Sequence, residues 1–147
     1  MSRGRQGPGV NRLYVVAAWV PRRETIAVGA LGPAVFTRGW YAYVGSARRG
    51  RDARVARHTR AAKPLRWHAD YLFGRHPATR AWLVDTTLDE CELADLLAGQ
   101  LALVRTPSRF GSSDCGCRGH LLRLPHDVSV LRQTIEDAPL AADRWQG

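Results

Sequence analysis

Lysine is almost missing from this chain: of 22 basic residues only Lys63 is a lysine, and the rest are arginine. Acidic residues are also few, 13 in all, which leaves a formal net charge of +9 and a pI near 10.7. Genomic composition can favour arginine over lysine, so the net charge is the stronger signal. A balance this basic is the usual footprint of a nucleic-acid binder, and guanidinium forks suit bidentate phosphate contacts. Cysteine is scarce, with three residues, which argues against a disulfide framework. No apolar run approaches the roughly 20 residues that a membrane-spanning helix needs. Residues 1–9 are basic and glycine-rich with no apolar centre, unlike a signal peptide. No G-x-S-x-G elbow is present and no base is evidently paired with Ser113 or Cys115, so a nucleophilic serine or cysteine hydrolase is disfavoured. Internal repeats are absent. These readings place the chain in the cytoplasm, with the nucleoid as a natural address and no membrane partner.

What is there fits one compact domain, since 147 residues at 45% hydrophobic suffice for a core. Residues 1–9 read as a disordered basic arm. The apolar run 13–20 (LYVVAAWV), stopped by Pro21, reads as a buried strand. Residues 25–28 and 34–36, separated by the turn-prone 29–33, suggest a hairpin. Gly39 opens a strand over 40–44, where Tyr41 and Tyr43 share one face by the period of two. A helix is expected over 51–62, ended by Lys63 and Pro64. Short helical character at 67–73 and a strand at 79–84 follow. Leu93, Leu96, Leu97 and Leu101 form a helical stripe within 88–103, with Asp89 or Thr87 as N-cap. Residues 121–124 are a plausible closing strand, and Val128, Leu131 and Ile135 make a weak amphipathic helix in a C-terminal extension, 125–147. The expected fold class is α+β, a small mainly antiparallel sheet flanked by helices, with the main domain over 10–124.

The stretch 43–47 (YVGSA) carries a strand into a Gly-Ser turn, and on the helix beyond it Arg54 and His58 stand four apart on one face. A tyrosine, an arginine and a histidine converging at a strand-to-helix turn suit the hydrolysis of a phosphodiester. Arg54 offers a permanently charged fork for transition-state charge, and His58 can orient water or hold a phosphate. Either is, alone, as readily a surface residue, and Tyr14 and Tyr43 are as readily sheet aromatics. Glu90 and Glu92 open the second long helix, where acids suit the macrodipole. One of them can equally be the single carboxylate ligand of a hydrated Mg²⁺ or Mn²⁺. Cys115, Cys117 and His120, with Cys91, are the ligand set of a structural zinc site at a spacing tighter than the usual finger. Buried reduced cysteines with a hydrogen-bonded histidine are the favoured reading. Trp67, His68 and Asp70 fit either a site pair or a packed segment, and Ser112, Ser113 and Asp114 either phosphate contacts or turn chemistry.

Several blocks in order give the chain a wider resemblance: Leu13-Tyr14, YVGSA at 43–47, ARVARH at 53–58, WHADYL at 67–72, ECELA at 90–94 and FGSSDCGCRGHL at 110–121. Together they span about residues 12 to 124. The chain resembles the GIY-YIG nuclease superfamily and, within it, the Uri-type prokaryotic endonucleases, formerly a domain of unknown function. The resemblance implies an α+β fold around a three-stranded antiparallel sheet, and metal-dependent phosphodiester hydrolysis. It implies catalytic roles for Tyr14, Tyr43, Arg54, His58 and Glu90, with one tyrosine as water-activating base. Glu90 is preferred to Glu92 because the family's glutamate stands two residues before a Leu-Ala pair, as Glu90 does before Leu93-Ala94. Two departures stand out: Arg12 replaces the glycine of the first triplet, and the interval from Tyr14 to Tyr43 is long. A hairpin inserted over 24–36 accounts for the interval. Arg48, Arg49, Arg51 and Arg57, with Ser46, are the expected nucleic-acid contacts. The expectation is therefore a metal-dependent endonuclease acting on DNA. The alternatives are a nucleic-acid-binding module with weak or no activity, which would need only the arginines, and a zinc-stabilised interaction domain.

Overall fold

The computed structural model describes residues 10–47, 49–61, 65, 67–101, 103–106, 109–110, 119–124 and 127–136. The expected basic arm at 1–9 and the expected helix break at Lys63 and Pro64 lie outside these residues. A five-stranded antiparallel sheet runs in the order β5 (Arg80–Thr86), β1 (Asn11–Val20), β4 (Gly39–Ser46), β7 (Leu121–Leu124), β6 (Val104–Arg105). The expected hairpin is present as β2 (Glu24–Val28) and β3 (Gly32–Phe36), joined by one turn of 3-10 helix at Gly29–Leu31. The helices among the described residues are α1 (Arg51–His58), α2 (His68–Arg75), α3 (Glu90–Leu101) and α4 (Ser129–Glu136). The fold class is α+β, and the sheet extends beyond the three strands that the resemblance implies.

Strand β1 reads as an unbroken apolar run because both of its faces are covered. Leu13, Val15 and Ala17 point to one side, where Ala42, Val44 and Val84 meet Leu93, Ala94 and Leu97 of α3 and Leu131 and Ile135 of α4. Tyr14, Val16, Ala18 and Val20 point to the other, against Ala69, Leu72 and Phe73 of α2 and Ile26, Val28, Ala34 and Phe36 of the hairpin. The result is three layers with the sheet in the middle. Because α4 contributes to the same core, residues 127–136 of the expected C-terminal extension pack against the sheet with the rest of the domain.

Local chemistry sets the helix ends. Asp89 Oδ1 accepts from the Glu92 backbone N–H at 2.7 Å, and Glu92 Oε1 accepts from the Asp89 N–H at 2.9 Å. That reciprocal capping box starts α3 at Glu90. Helix α1 ends earlier than the expected residue 62: Thr59 and Arg60 donate to the carbonyls three residues back, tightening the last turn. No helix of the described residues is long and apolar enough to cross a membrane.

Candidate active site

Strands β1 and β4 pair with Tyr14 opposite Gly45 and Val16 opposite Tyr43, so the two tyrosines share a face on adjacent strands, ring centroids 6.4 Å apart. The Tyr14 ring lies across Gly45, where a Cβ would come within 2.4 Å of its Cζ and Oη. That contact explains why glycine follows the Tyr-Val pair. Beyond the turn, the start of α1 is pinned to the sheet by Arg51. Its Nη1 donates to Asp85 Oδ1 at 2.6 Å and to the Leu13 carbonyl at 3.0 Å.

The pinned helix turns Arg54 and His58 toward the tyrosines. His58 is 1% exposed, and its Nε2 meets Tyr14 Oη at 3.0 Å. The His58 ring also stands 5.7 Å from Tyr43 and 5.2 Å from Phe73. Arg54 Nη1 donates to the Ser46 carbonyl at 3.2 Å. From the other side of the turn, Ser46 Oγ donates to Glu90 Oε2 at 3.1 Å. A cleft of about 240 Å³ opens here, with Asn11, Arg12, Ser46, Asp89 and Glu90 among its walls. Because Glu92 is held in the capping box, Glu90 is the carboxylate of this helix start that faces the turn.

Burial dominates the electrostatics. It raises the pKa of Tyr14 strongly; Arg54 works against that, and the charges of Glu90 and Asp70 add to it. Tyr43 is likewise pushed well above 10.0, first by burial and then by Tyr14 and Glu90. Both phenols therefore rest protonated. Arg54 and Glu90 are close enough to act on both phenols, which makes the four one electrostatic unit with His58 bonded into it.

Two of the expected nucleic-acid contacts are turned inward. Arg51 is 6% exposed and engaged by Asp85 and Leu13, so its charge holds the helix to the sheet. Arg57 grips Asp70 through Nε and Nη2, both at 3.0 Å, and this bond holds its charge. Arg49 is exposed beside the turn, and Arg48 lies outside the described residues.

The 67–72 block acquires a role that sequence reasoning did not assign. Asp70, fully buried, accepts from the Trp67 N–H at 2.9 Å as well as from Arg57. The Trp67 ring carries both Arg54 (4.6 Å) and Arg57 (4.9 Å). The block thus steadies the arginines of α1 from outside. The signal was the spacing of an acid three residues after the helix N-cap, Trp67. His68 packs against Phe110, 5.6 Å between rings, with its pKa lowered by burial.

Cys91 Sγ and His120 Nε2 lie 3.4 Å apart beside Glu90, whose charge opposes the desolvation that lowers the His120 pKa. Cys115, Cys117, Ser112, Ser113 and Asp114 lie outside the described residues. Among the described residues no three His, Cys, Asp or Glu side chains gather as a metal cage. A single carboxylate and its waters still suit a hard cation such as Mg²⁺, which binds through one or two carboxylates. Glu90 fits that pattern, with one oxygen held by Ser46 and a cleft beside it.

No curated protein and no solved structure matches the chain. One family model does, over residues 13–140, a span that takes in both tyrosines, α1, the 67–72 block, Glu90 and the core residues of α4. The chain belongs to the family described as domain of unknown function DUF123.

Proposed function

We propose that this chain is a metal-dependent endonuclease of GIY-YIG type, Uri-like, hydrolysing phosphodiester bonds in nucleic acid, with DNA as the substrate. The observation that carries the reading is the meeting of Tyr14, Tyr43, Arg54 and His58 with Glu90 around the Ser46 turn. A binding module would need the exposed arginines but has no use for a buried phenol hydrogen-bonded to a buried histidine and a second, half-buried phenol packed edge-on against it.

In this reading Arg54 sits where negative charge builds on the pentavalent phosphate, held in place by the Ser46 carbonyl and the Trp67 ring. Burial makes a standing phenolate unfavourable, so Tyr14 works as a relay. As its hydroxyl takes a proton from the attacking water, its own proton passes to His58 Nε2 across 3.0 Å. Tyr43 shares the face and orients the phosphate. A hydrated Mg²⁺ or Mn²⁺ held by Glu90 would supply Lewis-acid help to the phosphoryl oxygens. Zinc is not invoked.

The test is incubation with plasmid, single-stranded and branched DNA, with and without Mg²⁺ or Mn²⁺, alongside Arg54→Ala. Metal-dependent cleavage that falls roughly 10²-fold or more in the variant, with binding little changed, supports the reading. DNA binding without cleavage under any metal condition rejects it in favour of an inactive module.

A further inference from the structure

At the end of the sheet away from Glu90, two indoles meet across the β1–β4 pair. Trp19 and Trp40 are register partners with ring centroids 5.6 Å apart, and Trp19 is 38% exposed. Arg38 stands 5.4 Å over the Trp19 ring and Arg80 5.6 Å over that of Trp40. The pair is thus bracketed by guanidiniums.

The ion pairs of the fold sort the arginines. Arg51, Arg57, Arg75, Arg105 and Arg132 each meet a carboxylate. Among the described residues no carboxylate lies within ion-pair distance of Arg38 or Arg80, and both are exposed. Arg22 and Arg23, also exposed, follow Trp19 by way of Val20 and Pro21. Asp127 and Glu136 line the hollow beyond Arg80, but Glu136 is bonded to Arg132. A half-open indole set among cations that pair with no carboxylate of the described residues offers a partner two things at once: an aromatic face and positive charge. Bases and phosphates together use both.

We propose that Trp19, Trp40, Arg38 and Arg80 form a second nucleic-acid contact that takes an unpaired stretch, with a base stacked on Trp19 and phosphates on the arginines. This deepens the nuclease reading and rests on it for its use. Tyr14 and Trp19 are five residues apart in β1, roughly 17 Å along the strand, and they point to opposite faces of the sheet. A straight duplex seated at the cleft does not also cover the indoles. A chain that reaches them must leave the duplex path, as an unpaired tail or a branch does.

The test is fluorescence anisotropy of the full-length protein, with divalent metal chelated so that nothing is cut. The probes are a labelled oligothymidine and a blunt duplex of equal length. Trp19→Ala, and separately the Arg38→Ala, Arg80→Ala double variant, should weaken oligothymidine binding roughly fivefold or more, while Trp19→Phe keeps most of it. Duplex binding should fall by much less, and metal-dependent cleavage of the blunt duplex should be unchanged. Oligothymidine affinity equal to that of the unmodified protein in both variants overturns the proposal. So does a change of oligomeric state on Trp19→Ala without a change in binding, which would make the surface a contact between protein chains. The two readings fail separately. Intact cleavage with Trp19-independent binding sinks only the second contact, and Trp19-dependent binding by a protein that never cuts sinks only the nuclease.

Discussion

The hydroxyl of Tyr14 occupies the space that a side chain on Gly45 would claim: a Cβ there would sit 2.4 Å from both Cζ and Oη. The ring is 2% exposed and bonded to His58, so it has no open direction in which to retreat. The glycine of the strand end is therefore part of the site's geometry.

Gly45→Ala should accordingly cost activity out of proportion to stability. Displacing Tyr14 by about an ångström predicts a loss on the order of 10²-fold in kcat/KM for DNA cleavage. Tyr14→Phe should lose comparable activity while keeping the fold, because it removes the relay and leaves the packing. Steady-state cleavage paired with a thermal melt checks both. A Gly45→Ala protein that cuts normally would show that Tyr14 can move without consequence.

The neighbours Glu90 and Glu92 should separate cleanly. Glu90→Gln should abolish the response to Mg²⁺, since an amide is a poor ligand for a hard cation. Glu92→Gln should cost at most about 1 kcal/mol through its half of the capping box, and leave metal-dependent cleavage in place. Metal titrations of cleavage in both variants read this directly. The reverse pattern would assign the metal to the wrong glutamate.

Asp85→Asn should act on stability. The substitution leaves the buried Arg51 guanidinium without its counter-charge, at a cost on the order of 3 kcal/mol. For a domain of this size that lowers the thermal midpoint by roughly 6–12 °C. Arg49→Ala, at an exposed position, should leave the midpoint where it was. A shift in DNA affinity on Asp85→Asn with no loss of stability would return Arg51 to the binding surface.

Alkaline pH should unfold the protein through its tyrosines. The folded pKa values of Tyr14 and Tyr43 lie above the ordinary 10.0. Between that value and the folded pKa the unfolded chain gives up protons that the folded chain keeps, so stability falls as pH rises. Below the ordinary value the contribution is fully present. Thermal midpoints should therefore drop from about pH 10 upward, and less steeply in Tyr14→Phe. A spectrophotometric titration should show Tyr14 and Tyr43 resisting ionisation until the protein unfolds. Ordinary ionisation of Tyr14 and Tyr43 in folded protein would contradict the burial argument.

The elements whose signals are local were legible along the chain. The apolar run of β1, the Pro and Gly punctuation of the hairpin, the stripe of α3 and the α+β class follow from periods of 2 and 3.6 within short windows. The pairing of Arg54 with His58 on one face follows from the same helical period. Strand β6 was not legible, because two residues carry no period.

What each charged group does is set by contacts between distant parts of the chain. Arg51 and Arg57 look like their neighbours in sequence, yet their partners Asp85 and Asp70 stand 34 and 13 residues away. Tyr14 and His58 are 44 residues apart, as are Ser46 and Glu90. Composition counts arginines without telling a buried fork from an exposed one. The difference is set by contacts across the sheet, where no local window reaches. The choice between Glu90 and Glu92 lies between these cases. The capping spacing is written in the sequence, but that it leaves Glu90 facing Ser46 depends on where α3 meets the end of β4.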